Sequence, residues 1–393
     1  MKKTYQFRIY PNKNHEVILN RTLGTCRYLY NNALAERKKQ AELNRLRKSF
    51  DVFPWGKPEW INKYDQMLDL TATKTEYQKE VYGQVYGQVL QDVLKRVDRS
   101  FKNFFNGFGY PRFQGRNRYN SFTYPQSGFS IKDGKLNLSK IGNIKIILHR
   151  PIEGIIKTCT IKKDIDQWYV SFSCEIEEPI PVEVKTKTGI DVGLIDLITL
   201  SNGEQIKPPK FLRESEDKLK QEQKRLSRKK LRSKNRNKQR VIVSKVHRKI
   251  GNQRKDFAHK TSKVLVDSYD RIVFEDLQIK NMVQNPRLAK SISDAGWYQL
   301  MQFTKSKAEC AGKIVEFVNP AGTSQTCICG FRVPKDLSVR VHRCPSCGLV
   351  MGRDQVSAIL IENSPISTVG TTGINARQGY LSGVSMQRDA PRL

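Results

Sequence analysis

Acid is what this chain has least of. Its 393 residues include 70 Lys and Arg but only 38 Asp and Glu, a formal net charge of +32. That imbalance points away from enzymes of small metabolites and toward a polyanionic partner, of which nucleic acid is the commonest. Long apolar runs are also missing, so no segment reads as a membrane span. The start, Met1-Lys2-Lys3-Thr4-Tyr5, has charge but no apolar stretch behind it, so no signal peptide is expected and the expected compartment is the cytosol. Structural disulfides are rare there, and the eight cysteines need another explanation. Histidine numbers five, with no His-hydrophobe-His pair and partner Tyr to suggest a covalent tyrosine mechanism. Hydrophobic residues at 38% and aromatics at 9% are low for a globular chain but too many for wholesale disorder.

The length allows two or three domains. Tyr5, Phe7 and Ile9 alternate with polar residues up to Pro11, which reads as a strand. Leu19, Leu23, Cys26, Tyr30 and Leu34 then mark one face of a helix. Mostly helical structure is expected to about Phe105, with a break at Pro54 and Pro58. Val81–Gln84 repeats at once as Val85–Gln88; four residues is about one helical turn, so the repeat is expected nearly to preserve the helix face. From about Tyr110 to Ile176 the period becomes two. Asp133-Gly134, between Ile131 and Leu136, is a two-residue hairpin signal. Trp168, Val170, Phe172, Cys174 and Ile176 alternate with polar or smaller partners, and short strands with turn signals suggest a small barrel. Residues 177–187 look like a linker, and a second domain opens with a strand at Thr188–Val192. The tail from about 364 to 393 has little apolar periodicity and is expected to be disordered or loosely attached.

Three acids stand at element ends. Asp191 ends a strand in Thr-Gly-Ile-Asp-Val-Gly-Leu, followed by a strand at Leu197–Leu200 and an Asn202-Gly203 turn of type I′ pattern. Glu275 ends the apolar run Arg271-Ile-Val-Phe-Glu, and Asp354 precedes the helical run of Val356, Ile359 and Leu360. Only a tertiary fold could bring them together. The chemistry supplies a reason: two Mg²⁺ ions, hard cations that take oxygen ligands, can clamp the attacking and leaving oxygens of a phosphodiester. Read singly, each acid is equally a cap or a surface residue, as are Asp196, Asp276 and Asp294. Cys327, Cys329, Cys344 and Cys347 offer four thiolates to a tetrahedral Zn²⁺. Cys26, Cys159 and Cys174 sit on apolar patterns and read as core.

Taken together, GIDVGLIDL (189–197), VFEDLQIKNMV (273–283), RLAKSISDAGW (287–297), TSQTC (323–327) and GRD (352–354) resemble the TnpB family. So do LGTCRYLYN (23–31) and FKNFF (101–105). TnpB proteins are RNA-guided nucleases of insertion sequences, related to type V CRISPR effectors. The resemblance implies a multidomain α+β chain. Residues 1–180 would form a wedge β-barrel with a helical recognition insert at about 11–107. Residues 181–363 would form an RNase H-like RuvC α/β domain, with a basic helical insert at about 211–266 and a zinc-ribbon-like insert at about 320–350. It implies that Asp191, Glu275 and Asp354 are the catalytic acids holding Mg²⁺ (or Mn²⁺). It also implies a guide RNA derived from the transposon end and a double-stranded DNA target cut beside a short transposon-adjacent motif.

Two departures bear on this reading. The family usually has Cys-x₂-Cys where this chain has Cys327-Ile-Cys329, one residue short, and commonly has Asn where this chain has Val356. The shorter spacer is expected to strain or weaken the metal loop, leaving open a vestigial knuckle without zinc, with His342 and Cys310 as substitute ligands. The departures also leave open a nuclease-weak or nuclease-dead RNA-guided DNA-binding repressor; a DNA transposase acting without RNA is the third reading. Between Lys224 and Lys255 there are fifteen Lys or Arg and no acid. Val243, Val246, Ile250 and Phe257 make the later part an amphipathic helix. Lys224, Arg225, Arg228, Lys229, Lys230, Arg232, Arg236, Arg240, Arg248 and Arg254 are expected to grip phosphates of the guide–target duplex. Aromatic–basic pairs such as Arg112-Phe113 fit base stacking and core packing about equally, and Trp297 reads as a packing anchor.

Overall fold

The computed structural model describes residues 1–49, 58–76, 79–116, 118–319, 322, 325–335 and 339–364. The tail beyond 364, the break at Pro54 and the start of the cysteine segment at 320, 321, 323 and 324 lie outside them. The chain divides into two compact units, Met1–Glu177 and a second beginning at Glu178. The fold is mixed α/β and multidomain.

The first unit runs β1 (Lys2–Tyr10), α1 (Lys13–Ser49), α2 (Lys63–Glu76), α3 (Lys79–Tyr82), α4 (Gly87–Phe105), β2 (Ser121–Tyr124), β3 (Phe129–Lys132), β4 (Lys135–Leu138), β5 (Gly142–Ile146), β6 (Ile155–Asp164) and β7 (Gln167–Glu175). Pro11 ends β1 because it has no N–H for the ladder. Tyr5, Phe7 and Ile9 point inward, and Trp168, Val170, Phe172 and Cys174 of β7 meet them across an antiparallel register that pairs Tyr5 with Phe172. The expected α1 face is buried throughout, as are Val89, Leu90, Val93, Leu94 and Val97 of α4. Each such side chain contributes roughly 1.5–3 kcal/mol by leaving water.

The seven strands order as β2-β6-β7-β1-β5-β4-β3, and every pairing is antiparallel. This corrects the barrel expectation, because no ladder joins β2 to β3 among the described residues and the sheet is open. The two edge strands are only four residues each, and Pro125, which follows β2, cannot donate to a ladder. The sheet nonetheless curls enough to bring its edges together. Tyr124 of β2 packs edge-on against Phe129 of β3 at 6.5 Å, and its Oη donates to the Ser139 carbonyl just past β4 at 2.9 Å.

Asp133 (φ 50°) and Gly134 (φ 66°) form the hairpin turn read from sequence, both left-handed as type I′ requires. The duplicated Val-Tyr-Gly-Gln does not preserve a helix face. The helix stops at Tyr82, the first copy's Gly83 and the following residues turn, and α4 restarts at Gly87. Each copy carries a glycine, the ordinary residue least suited to a helix interior. The two tyrosines consequently differ: Tyr82 is buried, whereas Tyr86 stacks on Tyr124 at 5.7 Å.

The second unit runs β8 (Lys187–Val192), β9 (Ile198–Leu200), β10 (Gln205–Ile206), α5 (Phe211–Glu214), α6 (Glu216–Ser227), α7 (Lys234–Ser268), β11 (Arg271–Glu275), α8 (Ile279–Met282), α9 (Ala289–Ala295), α10 (Trp297–Cys310), β12 (Ile314–Val318), β13 (Val341–Arg343), β14 (Val350–Gly352) and α11 (Arg353–Asn363). Its sheet orders as β10-β9-β8-β11-β12, with β8, β11 and β12 parallel and β9 antiparallel to both neighbours. Ile190, Ile272, Val273 and Phe274 are fully buried, as strands covered on both faces require. The Asn202-Gly203 turn is not type I′, since only Gly203 has positive φ (89°). Gly203 N donates to Leu200 O and Leu200 N to Glu204 O, a three-residue loop with a bulge glycine.

Gly189 fixes the position of α11. A Cβ there would land on the Ala358 carbonyl oxygen and the Glu362 amide nitrogen, so β8 and α11 touch backbone to backbone. Trp297 is an anchor as expected, buried with Nε1 donating to Gly193 O at 3.2 Å.

Candidate active site and cysteine centre

β8 and β11 run parallel in register, with Ile190 opposite Phe274 as the last pair. The next residue on each strand is an acid, Asp191 on β8 and Glu275 on β11. Neighbouring strands lie about 4.8 Å apart, so the ladder alone places the two carboxylates at one level. Asp354 arrives from α11, whose first turn it occupies. Glu275 is buried, and Asp191 and Asp354 are half-buried. Burial first, then the negative charges of Glu275 and Asp354, push the Asp191 carboxyl up to about 8. A carboxyl whose ionisation two neighbouring acids oppose suits a cation, and oxygen donors suit a hard one such as Mg²⁺ or Mn²⁺.

Two arginines at this site were not singled out in the sequence. Arg353 Nε lies 3.2 Å from Asp354 Oδ1, and Arg340 Nη1 lies 3.7 Å from Oδ2. Arg353 also lowers the Asp191 carboxyl, against the stronger raising effects. Arg353 was legible in Gly-Arg-Asp, where only the acid drew notice. Arg340 needs the register of the β13–β14 hairpin: Val341 pairs with Gly352, and Arg353 N donates to Arg340 O at 2.8 Å. Val356 is buried, so α11 packs at that position where the family commonly has an amide.

The four cysteine sulfurs lie within 4.8 Å of one another. Cys327 Sγ and Cys347 Sγ are 3.6 Å apart, and Cys329 Sγ and Cys344 Sγ 3.7 Å. A tetrahedron of Zn–S bonds near 2.3 Å has edges of about 3.8 Å, so the donor set fits zinc. The short Cys-x-Cys spacer does not keep the first pair apart. Gly330, at φ 86°, donates its amide to Cys327 O, and Cys327 N donates to Phe331 O, which together close the tighter loop. Burial acts to raise the Cys344 thiol, but the amides of Cys347 and Ser346 together with the Cys327 and Cys347 side chains bring it down to about 6. His342 is buried and contacts Lys335 through Nδ1; it is not one of the four clustered donors, nor is Cys310.

The basic residues separate into two groups. Arg225 pairs with Glu222 at 2.9 Å, and Arg236 Nη1 donates to the Leu226 and Lys229 carbonyls. Arg254 pairs with Asp294 at 2.6 Å, and Asp294 also accepts from Leu212 N. These three brace the helical segment. Arg248 is half-buried, while Lys224, Arg228, Lys230, Arg232 and Arg240 are exposed and Lys229 half-exposed. Val243, Val246 and Ile250 pack with Leu219 beneath them.

A family described as "OrfB_IS605: Probable transposase" matches residues 171–286. A relative in Escherichia coli K12, "Putative RNA-guided DNA endonuclease InsQ", is 31% identical over 87% of both chains. A second, "Putative RNA-guided DNA endonuclease" of Streptomyces pristinaespiralis, is 31% identical over 100% of this chain and 97% of its own. The chain belongs to the TnpB family. Residues 297–361 match a "Cas12f1-like, TNB domain", which covers the cysteine centre and Asp354. Residues 1–45 match a "Helix-turn-helix domain". Here that segment is a strand and one helix unbroken to Ser49, not two helices joined by a turn. The solved "mini-RNA-guided endonuclease CRISPR-Cas_phi3" aligns over 93% of both chains at 11% identity with a TM-score of 0.47. No helix among the described residues is long and apolar enough to cross a membrane.

Proposed function

We propose that this protein is an RNA-guided, Mg²⁺-dependent DNA endonuclease of an IS605-type transposon, cutting double-stranded DNA beside a short transposon-adjacent motif. The observation that carries the proposal is the convergence of Asp191, Glu275 and Asp354 from β8, β11 and α11. The sheet order, with three parallel strands and one antiparallel hairpin added at β8, supports an RNase H-like RuvC reading of the second unit. The relatives' names support the guide RNA and the DNA target.

In this reading the three carboxylates hold a pair of divalent ions, which when bound supply the positive charge that lets a phosphodiester approach an acidic site. Arg340 and Arg353 orient Asp354 and offset part of the repulsion among the acids. The exposed cations of α6, of α7 and of the turn between them hold backbone phosphates without reading sequence. The thiolates of Cys327, Cys329, Cys344 and Cys347 hold zinc, clamping the β13–β14 hairpin that leads into Asp354.

The test is cleavage of a plasmid library carrying a guide-matched target beside randomised bases. The protein is co-expressed with its transposon-end RNA. Cutting next to one adjacent motif, absent with Asp191→Ala, is the expected result. DNA binding without cutting by the folded, RNA-loaded protein would instead favour the repressor reading, which the retention of all three acids opposes.

A further inference from the structure

A cluster of exposed aromatic residues lies where α4 ends. Six aromatic residues fall between Phe101 and Phe113. Phe is ordinarily among the most buried residue types. Here Phe105 is 77% exposed, Phe108 65% and Phe113 50%. The patch is built and held. Tyr110 packs edge-on against Phe104 at 5.0 Å and Phe101 at 6.0 Å. Asn31 of α1 grips the far end of the loop with two hydrogen bonds, accepting from Gln114 N at 2.8 Å and donating to Gln114 O at 3.1 Å. Fixed, exposed apolar surface of this kind marks a binding site more often than a folding remnant.

Charge says what it binds. Lys38 Nζ sits 5.1 Å from the Tyr110 ring centre and 4.6 Å from that of Phe113. Arg112 is exposed beside Phe113. No Asp or Glu occurs between Asp98 and Asp133 in the sequence. Flat apolar rings alternating with cations match a strand whose bases are unpaired, since each nucleotide offers a π-face and a phosphate. A partner with no anionic groups would leave the cations unused, whereas a nucleotide strand uses rings and cations alike.

We infer that Phe105, Phe108 and Phe113, with Lys38 and Arg112, form a stacking platform for unpaired bases of the guide RNA. The inference rests on the proposed function for the identity of the strand. RNA offers such bases in loops and ends, the usual targets of aromatic stacking.

The test measures the affinity of the full-length protein for a short single-stranded RNA and for DNA of the same sequence, by fluorescence anisotropy over a salt series. Phe105→Ala, Phe108→Ala and Phe113→Ala are each expected to weaken RNA binding about five- to 150-fold, the range for losing one stacked base. Phe113→Trp is expected to restore it. Because Phe carries no charge, the salt slope should stay as in the wild type, whereas Arg112→Ala should flatten it. All of these side chains are exposed, so an unchanged melting temperature verifies the fold. RNA affinity unchanged in all three Phe variants would overturn the platform, as would a loss confined to DNA or a change only in self-association. Those outcomes leave the guided-nuclease reading intact; a wild-type protein that binds no RNA would end both.

Discussion

Asp191 shows what a site of clustered acids does to its own protein. Its carboxyl lies near 8 in the folded chain because of burial and the charges of Glu275 and Asp354, against about 3.9 when unfolded. The native state therefore holds this proton more tightly than the unfolded state. Without metal, stability should fall as pH rises from about 4 to about 8. Asp191→Asn removes the charge, so in chelator its melting temperature should exceed the wild type's by a few degrees at pH 7.5, roughly the effect of 1–2 kcal/mol. The gap should close toward pH 4, and Mg²⁺ should stabilise the wild type but not the variant; scanning fluorimetry checks each point. The bracing arginines behave differently. Arg254→Ala should lose about 1.5–3 kcal/mol of stability by unpairing Asp294. Arg240→Ala should leave the melting temperature alone and lower the salt slope of nucleic-acid binding by about 0.7–0.9. Asp191 and Glu275 were legible in sequence because each closes an apolar run, and Asp354 because it stands just ahead of a helical one. The pairing of Arg254 with Asp294 was not, because the two lie forty residues apart and only packing joins them.

At the scale of elements, two joints set the geometry. The first is Gly189, where β8 lies directly on α11. Gly189→Ala must push the helix away, at about 1–3 kcal/mol, and with it Asp354. Cutting should fall well beyond what the lost stability explains, while guide-RNA affinity holds; paired cleavage and binding assays distinguish the two. The second joint is the β13–β14 hairpin, whose ladder ends at Gly352, two residues before Asp354. A purified chain should carry about one zinc by elemental analysis. Cys347→Ser should release it and reduce cutting more than RNA binding. Strands β1, β7, β8 and β9 and the Asp133-Gly134 turn were legible, since local alternation and backbone freedom report them, whereas the Asn202-Gly203 turn was misread. Sequence reading misjudged the repeated Val-Tyr-Gly-Gln, where glycine overrode periodicity. It also overstated the strain at Cys327-Ile-Cys329, where Gly330 accommodates the shorter loop.

For the whole molecule, charge was the most legible property and closure the least. A net charge of +32 asks for a polyanion whatever the fold. Whether seven strands close into a barrel depends on the last ladder, which is not made among the described residues, where Pro125 follows one of two four-residue edge strands. No local pattern reports that. The acids belong to the second unit and the aromatic platform to the first, so cutting and part of RNA holding should be separable by mutation. One acidic site does the cutting, in the reading proposed above, and a replaceable RNA aims it. The most direct measurement is a guide exchange. The protein is loaded with either of two RNAs differing only in guide, then offered either of two matching plasmids in Mg²⁺, with Asp191→Asn alongside. Cutting that follows the guide and disappears in the variant is the expected result. Cutting that ignores the guide, or survives loss of the Asp191 carboxylate, would contradict it.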